Sequence, residues 1–187
     1  FEKYLSSNKK NEITELFKKA NCKDVHELKK YQSLKNLKFI EFPKLGLSEL
    51  DKITSKILQL GGGVLLIDYG YIIPKSKSTL QSIFKHKKNK LFDNLGKADI
   101  TSLVNFKLLK EHLIMNRLKV KNIVSQKFFL EKMGIVNRAD EISKKMNFKE
   151  QTNLYLRLKR LLDKKYMGNL FKVIFAYNYH KDNFLGF

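Results

Sequence analysis

The stretch GGGVLLIDYG, Gly61 to Gly70, ends an apolar run on a carboxylate, a phenol and a glycine. A strand that only fills a core has no need of that ending. Asp68 could orient a cationic substrate or take a proton. Tyr69 could stack on a ligand or hydrogen-bond to it. Gly70 allows a ligand or a backbone to come close. In open α/β sheets, ligands bind beyond the carboxyl ends of the strands, which is where these three residues fall. The structural alternative has Asp68 capping a loop and Tyr69 packing. His86, near Asp93 and Asp99, invites an acid–base reading, against which a lone loop histidine is more often solvated or hydrogen-bonded locally.

The elements that must hold these residues follow from spacing. Leu50, Ile53, Ile57 and Leu58 repeat at helical intervals and predict a helix over 48–60, with Ser48 as its cap. Gly61 to Gly63 end it, and Val64 to Asp68 form a strand. Its unbroken apolar character predicts cover on both faces, as in parallel sheets. Asn11 to Lys19 and Val25 to Leu34 have helical spacing, and Leu37 to Phe42 reads as a short strand. Gly70 to Ile100 shows little regular pattern and reads as a long loop. Asp99 or Thr101 caps a predicted helix over 102–115, and Val120 to Val124 is a predicted strand. Helices follow over 128–133, 138–146 and 149–164, and Leu170 to Tyr177 closes the chain's regular structure as a strand. Residues 1–41 read as an N-terminal insertion or edge region, and 42–187 as one body.

Composition narrows the classes. The 187 residues are enough for a real core, and no apolar run approaches the roughly 20 residues of a membrane-spanning helix. The single cysteine, Cys22, forms no internal disulfide. The histidines at 26, 86, 112 and 180 lack metal-ligand spacing, so no metal is expected. The net charge of +20 attracts polyanions, which keeps a nucleic-acid-binding module open. Most of that charge is lysine, with arginine only at 117, 138, 157 and 160, whereas phosphate and base readers favour arginine forks. The glycines at 61–63 follow a helix and precede a strand, the reverse of a phosphate-cradling loop. No GxSxG element is present for a hydrolase.

Several blocks in fixed order carry a resemblance. They are GGGVLLIDYG (Gly61–Gly70), STLQ (Ser78–Gln81), KH (Lys85-His86), GKADITSLVNF (Gly96–Phe106), IVSQKFFLEKMGIVNR (Ile123–Arg138) and MGNLFKVIFA (Met167–Ala176). Over residues 41–177 the chain resembles the C-terminal part of the MidA-like class I S-adenosylmethionine-dependent methyltransferases. That family includes the mitochondrial arginine methyltransferase of respiratory complex I assembly. The resemblance implies an α/β fold made of the later strands of a Rossmann-like methyltransferase sheet with covering helices. Val64 to Asp68 would be the fifth strand, Val120 to Val124 the sixth, and Leu170 to Tyr177 the seventh, inserted antiparallel between them. It implies that the N-terminal cofactor-binding half, with its glycine loop, is missing from this segment, which alone would be inactive.

The implied function is that of a fragment of an S-adenosylmethionine-dependent protein arginine methyltransferase. Asp68 and Asp99 would be the catalytic carboxylates, and Tyr69, Gly70 and His86 the substrate contacts. A protein substrate is implied, in a bacterial cytoplasm or the mitochondrial matrix. Two departures stand out: Ser78 replaces an aspartate usual before TLQ, and Asn105 replaces one often found before the phenylalanine. A basic nucleic-acid-binding module or a non-catalytic assembly factor is the alternative.

Overall fold

The computed structural model describes residues 1–8, 12–180 and 182–187. Along the chain come β1 (Glu2–Ser7), β2 (Ile13–Lys18), α1 (Cys22–Lys29), a 3-10 turn (Gln32–Leu34), α2 (Lys44–Leu60) and β3 (Gly62–Tyr71). Next are β4 (Gln81–Phe84), β5 (Lys87–Asn89), β6 (Asp99–Thr101), β7 (Val104–Asn105), α3 (Phe106–Met115), β8 (Lys119–Val120) and β9 (Val124–Ser125). The chain continues with α4 (Gln126–Lys132), α5 (Ile135–Ser143), α6 (Phe148–Leu162), α7 (Met167–Leu170) and β10 (Phe171–Asn178). These elements fall into two compact units, Phe1–Phe42 with Lys75–Leu103, and Pro43–Pro74 with Val104–Phe187.

The second unit is built on a mixed sheet in the order β7-β3-β10-β8, with β9 also paired to β10. Strand β10 runs antiparallel to β3, from Phe171 opposite Tyr69 to Asn178 opposite Gly62. It is antiparallel to β8 and β9 as well. It therefore stands inserted between strands that run parallel to each other, as the resemblance implies. One face of the sheet carries the core: Leu50 and Ile57 of α2, Phe106 and Leu113 of α3, Leu118, and Ile174 and Ala176 of β10, joined by Val64 and Leu66. Phe106, Leu113 and Ile174 are fully buried, each worth about 2–3 kcal/mol of apolar transfer. The other face of β10 is aromatic. Phe175 packs on Phe184 of the C-terminal tail at 4.8 Å, and Phe187 on Phe129 of α4 at 5.4 Å.

The expectation that β3 is covered on both faces does not hold. Val64 and Leu66 face the core, but Leu65 and Ile67 on the opposite face are each 44% exposed. An apolar run reports strand character without reporting how much of each face is packed.

The first unit has a two-stranded antiparallel hairpin, β1-β2, and a three-stranded antiparallel sheet in the order β5-β4-β6. The helix expected over 11–19 is instead β2. Asn11 lies outside the described residues. Pairing with β1 sets Tyr4 opposite Leu16 and Lys3 opposite Phe17, and the Lys3 ammonium meets Glu15 at 2.7 Å. That cross-strand pairing overrides the local helical spacing. The predicted strand over 37–42 does not form, because its polar groups turn to another loop. The Lys38 amide donates to Ser76 Oγ at 2.9 Å, and the Glu41 carboxylate serves residues 78–80. The long loop expected over 70–100 is regular in part: it holds the end of β3 and the strands β4 and β5 with the start of β6, whose three or four residues each are too short to show periodicity.

Other boundaries move for identifiable reasons. Pro43, not Ser48, stands at the start of α2, where the Leu47 amide donates to the Pro43 carbonyl at 2.9 Å. Asp99 and Thr101 lie in β6, and α3 is capped by Asn105, whose Oδ1 accepts the Leu108 amide at 3.2 Å. The predicted strand 120–124 is split into β8 and β9, with the Lys121 amide donating to the Phe175 carbonyl at 2.9 Å. Helix α6 opens with a capping box between Asn147 and Glu150.

Candidate active site

Strand β3 carries Asp68, Tyr69 and Gly70 at its carboxyl end, and the structure gives each a distinct setting. Asp68 is exposed, and its Oδ1 accepts the Tyr69 amide at 2.7 Å. Its cross-strand neighbour is Lys172. That ammonium turns away and donates to the Asn169 carbonyl, and partial burial lowers its pKa below the ordinary lysine value. The carboxylate is therefore not locked into an interior ion pair.

Tyr69 is half-buried. Its ring meets that of its cross-strand partner Phe171 edge-on, at 5.3 Å and 88°. Gly70 is buried in the parallel junction of β3 and β7, where a Cβ would stand 2.2 Å from the Val104 carbonyl oxygen and 2.8 Å from the Phe106 ring. The close approach that this glycine permits is that of backbone.

Asp99 and His86 belong to the other unit. Asp99 opens β6 opposite Ile83 of β4 and is exposed. His86 is exposed at the tip of the β4-β5 hairpin, after Lys85, and the two have φ of 62° and 50°. Two consecutive left-handed residues are the mark of a type I′ turn, a place that asparagine and glycine usually fill. The register sets the Asp99 end of β6 beside the end of β4 that enters this turn, so His86 and Asp99 share one end of the small sheet. Asp68, Tyr69 and Gly70 are thus grouped on one strand of one unit, and His86 and Asp99 on one sheet of the other.

The two departures have local explanations. Asn105 is a helix cap, a role that asparagine and aspartate fill about equally. Ser78 donates its hydroxyl to Glu41 Oε1 at 3.0 Å, where an aspartate would set two carboxylates against each other.

Glu41 is the residue that sequence reading passed over. Its Oε1 also accepts the amides of Thr79 and Leu80, at 2.8 and 3.2 Å, and its Oε2 accepts the Thr79 hydroxyl at 2.6 Å. The available signal was a lone carboxylate inside the apolar stretch before Pro43. Asn89 does similar work further on, donating to Ser82 Oγ at 3.1 Å and to the Asp93 carbonyl at 2.7 Å.

Gly61 and Gly62 adopt φ of 76° and 119° with open space beside them, and they lead from α2 into β3. A methyl donor's cradle of the strand-turn-helix kind does not fit them. Among the described residues, no three His, Cys, Asp or Glu side chains gather as a metal-holding group. Among them also, no helix is long and apolar enough to cross a membrane.

The inserted antiparallel strand and the helices packed on the sheet define an α/β fold of the methyltransferase kind. Two solved structures from Burkholderia thailandensis share it. One superposes with a TM-score of 0.82 at 19% identity, over 98% of this chain and 50% of its own. The other, solved bound to S-adenosyl-homocysteine, gives 0.77 at 20%, over 98% of this chain and 48% of its own. Residues 2–124 match the family described as S-adenosyl-L-methionine-dependent methyltransferases, and the chain belongs to that family. Among curated relatives, the mitochondrial protein arginine methyltransferase NDUFAF7 homolog of Caenorhabditis elegans is 30% identical over 89 residues, 48% of this chain and 21% of that protein. The chain thus spans about half the length of the solved structures, and the curated match spans about a fifth of the relative.

Proposed function

We propose that this chain supplies the acceptor side of a protein arginine methyltransferase, with Asp68 and Asp99 as its reactive carboxylates. The observation that carries the reading is the exposed Asp68 carboxylate at the carboxyl end of β3, unclaimed by its lysine neighbour. The family supports methyl transfer as the reaction class, and likeness to the arginine methyltransferase relative supports arginine as the acceptor.

An arginine guanidinium is protonated at neutral pH, so its nitrogen lone pair is not free. Carboxylates hold such a cation in bidentate fashion, withdraw charge from the reacting nitrogen and accept its proton. Asp68 and Asp99 fill those roles. Tyr69 and His86 are the proposed substrate contacts, each within its own unit, and Gly70 serves by letting the β3 and β7 backbones close beside Asp68. S-adenosylmethionine, when bound, supplies an electrophilic methyl group whose leaving thioether is neutral. No residue of this chain is assigned to hold it, because the Gly61–Gly62 turn does not fit the task. In this reading the donor's glycine loop lies outside residues 1–187. The acceptor is a protein. From the motif resemblance, a role in respiratory complex I assembly belongs to the same proposal, and so does a place in a bacterial cytoplasm or, by likeness to the mitochondrial relative, in the matrix.

The test is transfer of a labelled methyl group from S-adenosylmethionine to arginine-containing protein acceptors by the native protein. Asp68→Ala should lower turnover by about a hundredfold or more while circular dichroism stays unchanged. Unchanged turnover removes Asp68 from the reaction. The charge of +20 favours a second reading, polyanion binding. It predicts nucleic-acid affinity that falls steeply as salt rises, with no loss in Asp68→Ala. A non-catalytic assembly factor would show neither activity.

A further inference from the structure

We infer that Glu41 is a positioning residue that fixes the sheet bearing Asp99; the inference rests on the assignment of Asp99 to the acceptor site. The Glu41 carboxylate takes four hydrogen bonds from three consecutive residues: the Ser78 hydroxyl, the Thr79 hydroxyl and amide, and the Leu80 amide. Those residues lead directly into β4, which begins at Gln81. The same Thr79 hydroxyl that donates to Glu41 accepts the Leu103 amide at 2.9 Å, just beyond the end of β6 at Thr101. Between these two points Gln81 Nε2 donates to Thr101 Oγ1 at 3.2 Å, and Ile83 stands opposite Asp99.

One carboxylate therefore pins the entry to β4, and through Thr79 it also pins the exit from β6. The strand carrying Asp99 is bracketed at its far end by this single clamp. Strands as short as β4 and β6 have too few ladder bonds to hold register alone, so fixing both chain ends beside one another decides where Asp99 stands. A charged acceptor is the strongest partner that two amides and two hydroxyls can have. Glu41 touches neither acceptor nor donor in this scheme. It acts through Thr79 on the placement of Asp99.

The experiment compares amide hydrogen exchange and methyl-transfer kinetics in the native protein and in Glu41→Gln, Glu41→Ala, Thr79→Val and Thr79→Ser. Glu41→Ala should speed exchange of the Thr79, Leu80, Leu103 and β6 amides by about tenfold or more, with α2 unchanged. It should lower kcat by a similar factor and leave the KM for S-adenosylmethionine unaltered, because misplacement of a reacting group falls on the chemical step. Thr79→Val should reproduce the Leu103 and β6 effects even if Glu41→Ala does not fold. Thr79→Ser, which keeps the hydroxyl, should restore them, and Glu41→Gln should fall between. If Glu41→Ala speeds exchange at Thr79 and Leu80 alone, leaving β6 and kcat untouched, Glu41 is only a local loop cap and the inference fails. If the unsubstituted protein transfers no methyl group, the proposed function fails, and the exchange of the β6 amides alone decides whether the clamp exists.

Discussion

A methyl group placed on Gly70 would stand 2.2 Å from the carbonyl oxygen of Val104. Backbone cannot yield that distance, and the β3-β7 pairing of Gly70 with Val104 depends on it. Gly70→Ala should cost about 3 kcal/mol of unfolding free energy, read from urea denaturation. Gly61→Ala, with open space beside it and a φ of 76°, should cost about 1 kcal/mol. Equal costs would show that the junction gives way under strain.

His112 of α3 is buried and reaches Asp51 of α2 at 2.8 Å, and Asn116 donates to the same Asp51 oxygen at 2.6 Å. This cluster joins the two helices on the core face of the sheet. His112→Ala removes a buried ring, while the half-exposed Asp51 and partly buried Asn116 stay open to water, and should lower stability by about 1–2 kcal/mol. Asp51→Asn keeps a carbonyl oxygen for either partner and should cost less. A smaller loss in His112→Ala than in Asp51→Asn would contradict the arrangement.

The Tyr177 hydroxyl donates to Asp182, with Lys119 3.6 Å from the same carboxylate. That hydrogen bond, aided by burial and the nearby negative charge, pushes the phenol up to about 12. The same bond, with Lys119 and Lys121 nearby, holds the Asp182 carboxyl below the usual range. The signs follow. The raised phenol stabilises the fold below its unfolded value of about 10, and that contribution disappears as pH climbs through 12. The depressed carboxyl stabilises the fold above about 3.9, and that contribution is lost as pH falls through its folded value. Tyr4 is also raised, chiefly by its hydrogen bond to Glu2, so the phenolate titration is read in a Tyr4→Phe background, where Tyr177 should titrate late and Asp182→Asn should bring it back toward the ordinary value. A late Tyr177 that persists in Asp182→Asn in that background would assign the shift to burial.

The Lys85-His86 turn holds two side chains in left-handed backbone. Lys85→Asn with His86→Gly should stabilise the protein by about 1 kcal/mol, measured by thermal unfolding. If His86 contacts the acceptor, the same variant should lose methyl transfer while gaining stability. A gain in both would leave His86 no role in the reaction.

Sequence reading succeeded where a local signal and the resemblance pointed the same way. Val64 to Asp68 lies in β3 and Leu170 to Tyr177 matches β10 but for Leu170, which ends α7; β10 runs antiparallel beside β3, and Gly134 ends the helix before it with a φ of 82°. It failed where distant partners decide. Ile13, Leu16 and Phe17 have helical spacing, but β1 captures them in a hairpin. The role of Glu41 depends on residues 37 to 39 positions away, which no periodicity can reveal. The exposure of Leu65 and Ile67 belongs to packing around β3 and leaves no trace in an apolar run. Among the candidate residues, Gly70 was legible as a point of close approach, whereas which group approaches it was not.

The central claim is that the Asp68 carboxylate holds the methyl acceptor at the end of β3. Asp68→Asn preserves size and the hydrogen bond from Tyr69 while removing the charge. In the native protein, labelled methyl transfer to arginine should fall by about a hundredfold or more in this variant, with its unfolding midpoint unchanged. Turnover equal to that of the unsubstituted protein would contradict the account.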